Sequence, residues 1–189
     1  KPAHDRDVKI VNENFETVPR GEVGELIIRG KGIMDGYYKD EKATNKAFRN
    51  GWFRTGDLAY MDKDGMVYYS GRLKDMIRRS GENIAAAEVE EVLMLHEKVK
   101  TAACTPEEDE IRGEEVKAYI IPKERVENEE KFIIELASHA ENHLASFKVP
   151  RYWELRTEFP ITPSERIAKH LLKEENNEHY DLVEKKWIN

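Results

Sequence analysis

The chain has one cysteine, Cys104, among its 189 residues, so it cannot form an internal disulfide. It lacks any run that approaches the roughly 20 apolar residues of a membrane-spanning helix. No basic, apolar signal segment stands at its start. The fold therefore does not depend on an oxidising compartment, and we expect a cytoplasmic protein with no membrane partner.

The chain also lacks a positive net charge. The formal net charge of -7 argues against a general nucleic-acid binder, because such proteins neutralise many phosphates with Lys or Arg. An apolar fraction of 39% beside 37% charged residues is typical of a globular protein with one or two domains. Any phosphate that the protein binds should be small and locally held.

The first part of the chain, residues 1–72, is predicted to be a small β-barrel or hairpin subdomain. Its apolar segments VKIVN, FETV and ELIIRG are short and are separated by turn residues. The turn at 62–65 stands between LAYM and MVYY and predicts a β-hairpin. One helix interrupts the strands, and Asp40 is its predicted N-cap.

Residues 73–175 have the pattern of an α+β domain with a small sheet and flanking helices. Strands are predicted at KTAAC, EVKAYII and RYWELR. Apolar periodicity predicts helices, which we place at about 86–96, 128–145 and 165–174. The remaining tail, 176–189, shows no clear period, so it is predicted either to be partly disordered or to pack through Trp187.

Two polar residues in the middle of the chain indicate a ligand that carries both hydroxyls and phosphate. Asp57, in RTGDL, offers an acceptor-only carboxylate that suits the two hydroxyls of a ribose. Arg72, in GRLKDMI, offers a fork of donors for ribose and phosphate oxygens. One predicted hairpin separates them in sequence. Asp57 could instead simply begin a strand after a glycine turn.

These two segments resemble signatures of the adenylate-forming superfamily, which includes acyl-CoA synthetases, peptide-synthetase adenylation domains and firefly luciferase. Further segments resemble other motifs of that superfamily in the same order, namely GELIIRGKGIMDGYY (24–38), FKVPRYWEL and FPITPSERI (147–167). The resemblance implies that residues 1–72 are the β-rich end of a large N-terminal domain. It implies that residues 73–175 are the C-terminal lid domain.

The resemblance also implies roles for particular residues. Asp57 and Arg72 would bind the nucleotide, and Lys74 would be the hinge about which the lid rotates between two half-reactions. Hinges consist of a few residues in loops or at the ends of helices and strands, and the position of Lys74 fits this pattern. An exposed lysine in a strand is the alternative.

Gly81, Arg78 and Lys148 are implied contacts for the second half-reaction. Gly81 would let the pantetheine arm of CoA pass close to the backbone, because it has no Cβ. Arg78 stands where some relatives carry a catalytic lysine, and Lys148 is a weaker candidate for a CoA phosphate. The neighbouring Arg79 is explained equally well as part of a solvated basic face, so no role is carried over to it.

The C-terminal motif departs from the pattern of the superfamily. Where relatives read Pro-Ser-Gly-Lys, this chain has Glu165 and Arg166 in place of the glycine and the catalytic lysine. Arg166 keeps the positive charge, but a planar guanidinium is not equivalent to a compact ammonium. We therefore predict slowed adenylation, and Lys169 could compensate if the register shifts.

The implied reaction is that of an ATP-dependent acid–CoA ligase. A carboxylate and ATP give an acyl-adenylate and pyrophosphate, and CoA then displaces AMP. The segments most resemble ligases for small carboxylates such as crotonobetaine or carnitine. The ligands of Mg²⁺ and the acyl pocket would precede residue 1, so the chain alone should be inactive. Alternatives are a non-catalytic nucleotide-binding, CoA-binding or interaction module, and a domain that loads a carrier protein.

Two metal-like patterns are set aside. His139 and His143 have the spacing of the two histidines in the zinc-binding HExxH helix. The sequence here is HAENH, so the acid stands third instead of second, and no third ligand is evident. Asp62 precedes a glycine as in a calcium loop, but the twelfth position is Leu73, which cannot supply a carboxylate. No metal site is predicted. Because the chain starts at Lys1 and a strand pattern follows almost at once, we expect a fragment or a processed product.

Overall fold

A computed structural model describes residues 5–175 and 177–188. The chain divides into two compact units, Lys1–Lys74 and Asp75–Asn189. Residues 1–4 of the first predicted domain, and Asn176 and Asn189 of the predicted tail, lie outside the described residues. Both units combine sheet with helix, which confirms the predicted α+β class.

The first unit is built on a five-stranded antiparallel sheet in the order β1-β2-β4-β3, with β5 paired to β4. Its strands are β1 (Arg6–Val11), β2 (Gly24–Gly30), β3 (Phe48–Arg49), β4 (Trp52–Met61) and β5 (Val67–Arg72). Helix α1 (Glu41–Ala47) begins after Asp40, whose carboxylate accepts from the Ala43 amide at 2.8 Å, so the predicted N-cap is confirmed. The segment FETV does not form a strand, because it contributes only one bridge, between Val11 and Thr17.

The predicted hairpin is formed by β4 and β5, and Asp62 closes its turn. Oδ1 of Asp62 accepts from the amides of Asp64 at 3.0 Å and Met66 at 2.8 Å, and Oδ2 accepts from the Tyr68 hydroxyl. The Met66 amide is the main cause that lowers the pKa of Asp62. The carboxylate therefore serves the turn, as predicted, rather than a calcium ion.

The second unit contains a seven-stranded sheet in the order β12-β11-β10-β9-β6-β7, with β8 paired to β9. Its strands are β6 (Met76–Arg79), β7 (Glu82–Ala85), β8 (Val99–Asp109), β9 (Gly113–Pro122), β10 (Tyr152–Leu155), β11 (His179–Asp181) and β12 (Lys186–Ile188). Its helices are α2 (Ala86–Met94), α3 (Glu129–His143) and α4 (Lys169–Glu174).

Side chains alternate between the two faces of the sheet along each strand. Helices pack against both faces. On one face, Val116 and Ala118 of β9 pack with Leu136 of α3 in the main hydrophobic core. On the other face, Tyr119 of β9 packs with Leu172 of α4. Strand β9 is consequently buried along most of its length, and its position fixes the helices on both sides.

The last helix starts later than predicted. The sequence predicted a helix from about residue 165, whereas α4 begins at Lys169. Residues 162–166 form a tight turn instead, with Glu165 at φ +58° in the left-handed region. A left-handed residue at 165 is incompatible with continuous α-helix, and Ile167 forms a bridge with Ile161 instead of a helical turn, which explains the shift.

The tail adds two strands to the sheet. Of the two alternatives from the sequence, packing through Trp187 agrees with the structure, since its ring lies 5.4 Å from that of Tyr180 and packs against the main core. Asp181 fastens β11 to the domain. Its carboxylate accepts from the guanidinium of Arg151 at 2.9 Å.

We expect Asp181→Asn to lower the free energy of unfolding by roughly 2–3 kcal/mol at neutral pH, because it removes the buried charge that pairs with Arg151 and leaves that arginine with Asp109 alone. Burial alone would raise the pKa of Asp181, but hydrogen bonds from Arg151 and two backbone amides outweigh it and lower the pKa. A carboxyl with a lowered folded pKa stabilises the fold fully above its unfolded pKa, so the difference should begin to shrink below about pH 4 and be lost as the pH falls through the lowered folded pKa.

Urea titrations at several pH values measure this difference, with Glu184→Gln at an exposed position as control. A deficit of the same size at pH 7 and at about pH 3 would contradict the assignment of the effect to this ion pair.

Candidate functional site

Asp57 and Arg72 are brought together by the β4–β5 hairpin. They are direct partners in the strand register, and Nη1 of Arg72 lies 3.0 Å from Oδ1 of Asp57. Their side chains are 28% and 40% exposed, so both can be reached from solvent. A carboxylate has about four lone-pair positions, so this pairing leaves acceptor capacity for ribose hydroxyls.

The backbone around Asp57 is shaped by a threonine and a glycine. Gly56 has φ +69°, a conformation that favours glycine. The Thr55 hydroxyl donates to the carbonyl of Leu26 at 2.6 Å and accepts from the amide of Asp57 at 3.0 Å. These contacts fix where the carboxylate leaves the strand, which accounts for the Thr-Gly-Asp sequence.

Lys74 is the last residue of the first unit. It lies in a single 3-10 turn, Leu73–Asp75, between β5 and β6, and its side chain is exposed. The position predicted as a hinge thus coincides with the division between the two compact units. The hinge role of Lys74 stays a prediction.

Gly81 lies at the tip of the β6–β7 hairpin. Ser80 and Gly81 both have positive φ, +52° and +87°, as in the two-residue turns that fit the twist of a hairpin. A Cβ added at Gly81 would meet no described atom within 4 Å. The backbone conformation therefore requires the glycine, and the space beside it is open to a ligand.

The other residues predicted for the second half-reaction lie in the same unit as Gly81. Arg78 is exposed, and its backbone amide donates to the carboxylate of Glu114 at 2.6 Å. Lys148 is bound by both carboxylate oxygens of Glu88 on α2, at 2.6 and 2.8 Å. A phosphate would have to compete with Glu88 for this lysine.

Arg79 differs from the sequence interpretation. A solvated basic face was one of the two explanations that the sequence left open for Arg79, but its side chain is only 11% exposed and forms an ion pair with the fully buried Glu115. The signal that could have found it is Glu115 itself, a carboxylate at the start of the apolar strand EVKAYII. A buried charge in such a strand requires a partner.

Arg166 lies at the end of the turn that precedes α4. Its carbonyl accepts from the amide of Thr162 at 2.7 Å, and its amide donates to the Thr162 hydroxyl at 3.2 Å. The side chain of Arg166 is exposed. The turn thus keeps a left-handed residue at 165 although glycine has been replaced by Glu165.

Lys169, the possible substitute for the missing lysine, has other partners. Its Nζ lies 2.6 Å from Oε1 of Glu90 and 3.8 Å from Oδ2 of Asp75. Oε1 of Glu90 also accepts from the amide of Cys104. In this arrangement Lys169 joins α4 to α2, and the register shift that would make it a substitute is not found.

The residues set aside have structural contacts. His139 and His143 each bond a backbone carbonyl, of Val92 at 3.0 Å and of His139 at 2.8 Å. Within residues 5–175 and 177–188, no three His, Cys, Asp or Glu side chains are grouped to hold a metal ion. Burial raises the pKa of the Cys104 thiol well above its ordinary value.

Among the residues that the structure describes, no helix is long and apolar enough to cross a membrane.

Known proteins resemble this chain over most of its length. Residues 88–166 match the family described as the AMP-binding enzyme C-terminal domain. Sulfoacetate–CoA ligase of Cupriavidus necator is 36% identical over 85% of the chain and 31% of its own length. Crotonobetaine/carnitine–CoA ligase of Salmonella typhimurium is 37% identical over 88% of the chain and 32% of its own length.

A solved structure shows the same fold. O-succinylbenzoate CoA synthetase of Bacillus subtilis, in complex with an acyl-adenylate intermediate, has a TM-score of 0.84 and 32% identity. The match covers 94% of this chain and 35% of that one. These findings support the predicted superfamily of adenylate-forming enzymes. The chain spans about a third of the length of these relatives, whose acids differ from one another.

We expect Glu165→Gly to be neutral or to stabilise the chain by up to about 1 kcal/mol. A non-glycine residue in the left-handed region costs roughly 1–3 kcal/mol, and relief of that strain offsets the entropy that glycine loses on folding. Ser164→Gly is the matched control in the same turn, and should destabilise because Ser164 has no positive φ. Thermal unfolding of both variants measures the difference. A larger loss for Glu165→Gly than for Ser164→Gly would contradict it.

Proposed function

We propose that this chain is the C-terminal third of an AMP-forming acid–CoA ligase, in which it supplies one wall of the nucleotide site and the lid domain. The observation that carries the proposal is the Asp57–Arg72 pair on adjacent strands, in a chain whose residues 88–166 match the AMP-binding C-terminal domain. The relatives include several acid–CoA ligases, which supports the general kind of reaction.

In the first half-reaction, a carboxylate oxygen of the acid attacks the α-phosphate of ATP. The bond between the α-phosphorus and the bridging oxygen breaks, and pyrophosphate leaves with its electron pair. Asp57 would accept hydrogen bonds from the ribose hydroxyls, and Arg72 would donate to ribose and phosphate oxygens. Holding the nucleotide in this way lowers the entropic cost of bringing the phosphate to the acid.

In the second half-reaction, the thiol sulfur of CoA attacks the acyl carbon, and AMP leaves with the electrons of the acyl–oxygen bond. The thiol proton is released in this step. Lys74 would permit rotation of the second unit between the two steps, since it stands at the division between the units. Gly81 and Arg78 would then contact pantetheine and the reacting groups, and Lys148 would bind a CoA phosphate after leaving Glu88.

Mg²⁺ would accompany ATP and neutralise charge on its phosphates. By the resemblance to the superfamily, its ligands and the acyl pocket would lie in the rest of the proposed ligase. This division implies that the chain has no complete activity alone.

The proposed substrate is a small carboxylate such as crotonobetaine or carnitine, and the proposed location is the cytoplasm.

Two alternatives of a different class keep the same fold. The chain could be a nucleotide-binding, CoA-binding or interaction module without chemistry, which the replacement of the Gly-Lys pair by Glu165 and Arg166 favours. It could instead belong to a domain that transfers the acyl group to a carrier-protein thiol. Free CoA as a saturable ligand of the isolated chain separates the ligase from the carrier-loading domain.

The first test is calorimetric titration of AMP and CoA against the isolated chain. We expect weak, salt-sensitive binding of AMP, and Arg72→Ala should reduce it at least about tenfold, because one charged hydrogen-bond donor is worth 1.5–3 kcal/mol. Arg29→Ala is the matched control, because Arg29 also pairs with an aspartate across two strands of the same sheet. Equal AMP affinity in both variants would sink the proposed site.

The second test concerns Arg166 in the full-length ligase. We expect Arg166→Lys to accelerate carboxylate-dependent exchange of pyrophosphate into ATP by about tenfold or more. Both residues carry one positive charge, but an ammonium is a compact point charge that can touch the acyl carboxylate and the α-phosphate together, whereas the planar guanidinium has a fixed fork of donors. His170→Lys at a nearby exposed position is the control. Exchange that is no faster with Lys at 166 would refute the slowed-adenylation hypothesis.

A further inference from the structure

The guanidinium of Arg79 connects three segments of the second unit. Its Nε and Nη2 donate to the two carboxylate oxygens of Glu115 on β9, at 2.5 and 3.2 Å. Its Nη1 donates to the backbone carbonyl of Phe147 at 2.8 Å. Arg79 itself ends β6, directly before the turn that contains Gly81. One side chain therefore bonds the hairpin to the sheet and to the 3-10 turn Ser146–Lys148.

The two segments that meet at Arg79 carry both proposed CoA contacts. Gly81 is two residues beyond Arg79 along the chain, and Lys148 is the residue after Phe147. The amide of Ser80 also donates to the carbonyl of Arg112 at 2.8 Å, and Arg112 forms a second ion pair with Glu115 at 3.2 Å. The hairpin tip thus rests on a network whose central acceptor is Glu115.

The ion pair is stiff because it is buried. Glu115 is fully buried and the side chain of Arg79 is 11% exposed. A two-point contact between a guanidinium and a carboxylate fixes direction as well as distance, which a lysine could not do. Breaking a buried pair costs more than the pair contributes, because it leaves one charge without a partner. The network consequently has one well-defined arrangement.

We propose that Arg79 is a positioning residue for CoA: it holds the Gly81 hairpin and the Lys148 turn at a fixed separation, so that both present one binding surface. This inference rests on the proposed function for the identity of the ligand. Arg79 does not contact CoA in this scheme. It acts through the carbonyl of Phe147 and through the backbone of the hairpin.

Three variants of the whole chain separate positioning from simple stability. Arg79→Gln removes the fork and leaves Glu115 with Arg112 as its remaining ion-pair partner. The double variant Arg79→Met with Glu115→Leu replaces the pair by apolar side chains, which is often neutral for stability, yet it also removes the bond to Phe147. Arg151→Gln is the matched control, since Arg151 is another partly buried arginine that pairs with a carboxylate of the same sheet.

The measurements are CoA affinity by calorimetry, amide hydrogen exchange and thermal unfolding. We expect Arg79→Gln and the double variant to weaken CoA binding about tenfold and to accelerate exchange at residues 80–85 and 146–149 about tenfold, the effect of one lost charged hydrogen bond. AMP affinity should stay within about twofold of wild type. Arg151→Gln should lower the unfolding temperature and keep the affinity for CoA.

A double variant with wild-type CoA affinity would overturn the inference, as would unchanged exchange in both segments. If the wild-type chain binds AMP but no CoA, the proposed ligase function fails instead. The exchange measurement would then still decide whether Arg79 joins the hairpin to the 3-10 turn.

Discussion

The second unit depends on the burial of strand β9 on both faces. Residues 115–121 are all buried, although two of them, Glu115 and Lys117, carry charge. A charge removed from water requires a partner with good geometry. Glu115 pairs with Arg79, and Lys117 lies 3.3 Å from Glu154 of the neighbouring strand β10. These two requirements determine which segments can lie against the centre of the sheet.

The same constraint places the candidate site. Because Glu115 attracts Arg79, the hairpin that carries Gly81 lies against the end of β9 and next to the turn that carries Lys148. In the first unit, strand pairing alone brings the site residues together, since the register of one hairpin makes Asp57 and Arg72 direct partners. Both halves of the proposed site therefore follow from local strand pairing and one buried ion pair.

Periodicity and turn chemistry were sufficient to predict most of the elements. The hairpin around Asp62 and the N-cap at Asp40 depend on contacts near in sequence, and the structure contains both. The start of α4 was missed because Glu165 adopts a left-handed conformation that its residue type does not signal. The tail was ambiguous because β11 and β12 are three residues each and are held by distant partners such as Arg151. The buried state of Arg79 was missed for the same reason, since Glu115 is 36 residues away.

In the proposed ligase, these strands and this lid serve the activation of a carboxylate by ATP and its transfer to CoA. The most direct test is to express the full-length protein and to measure AMP and acyl-CoA formation from ATP, CoA and a panel of small carboxylates, with and without Asp57→Ala. We expect one AMP for each acyl-CoA formed, and loss of both products in the variant. Acyl-CoA formation with ADP as the other product, or undiminished activity of Asp57→Ala, would contradict it.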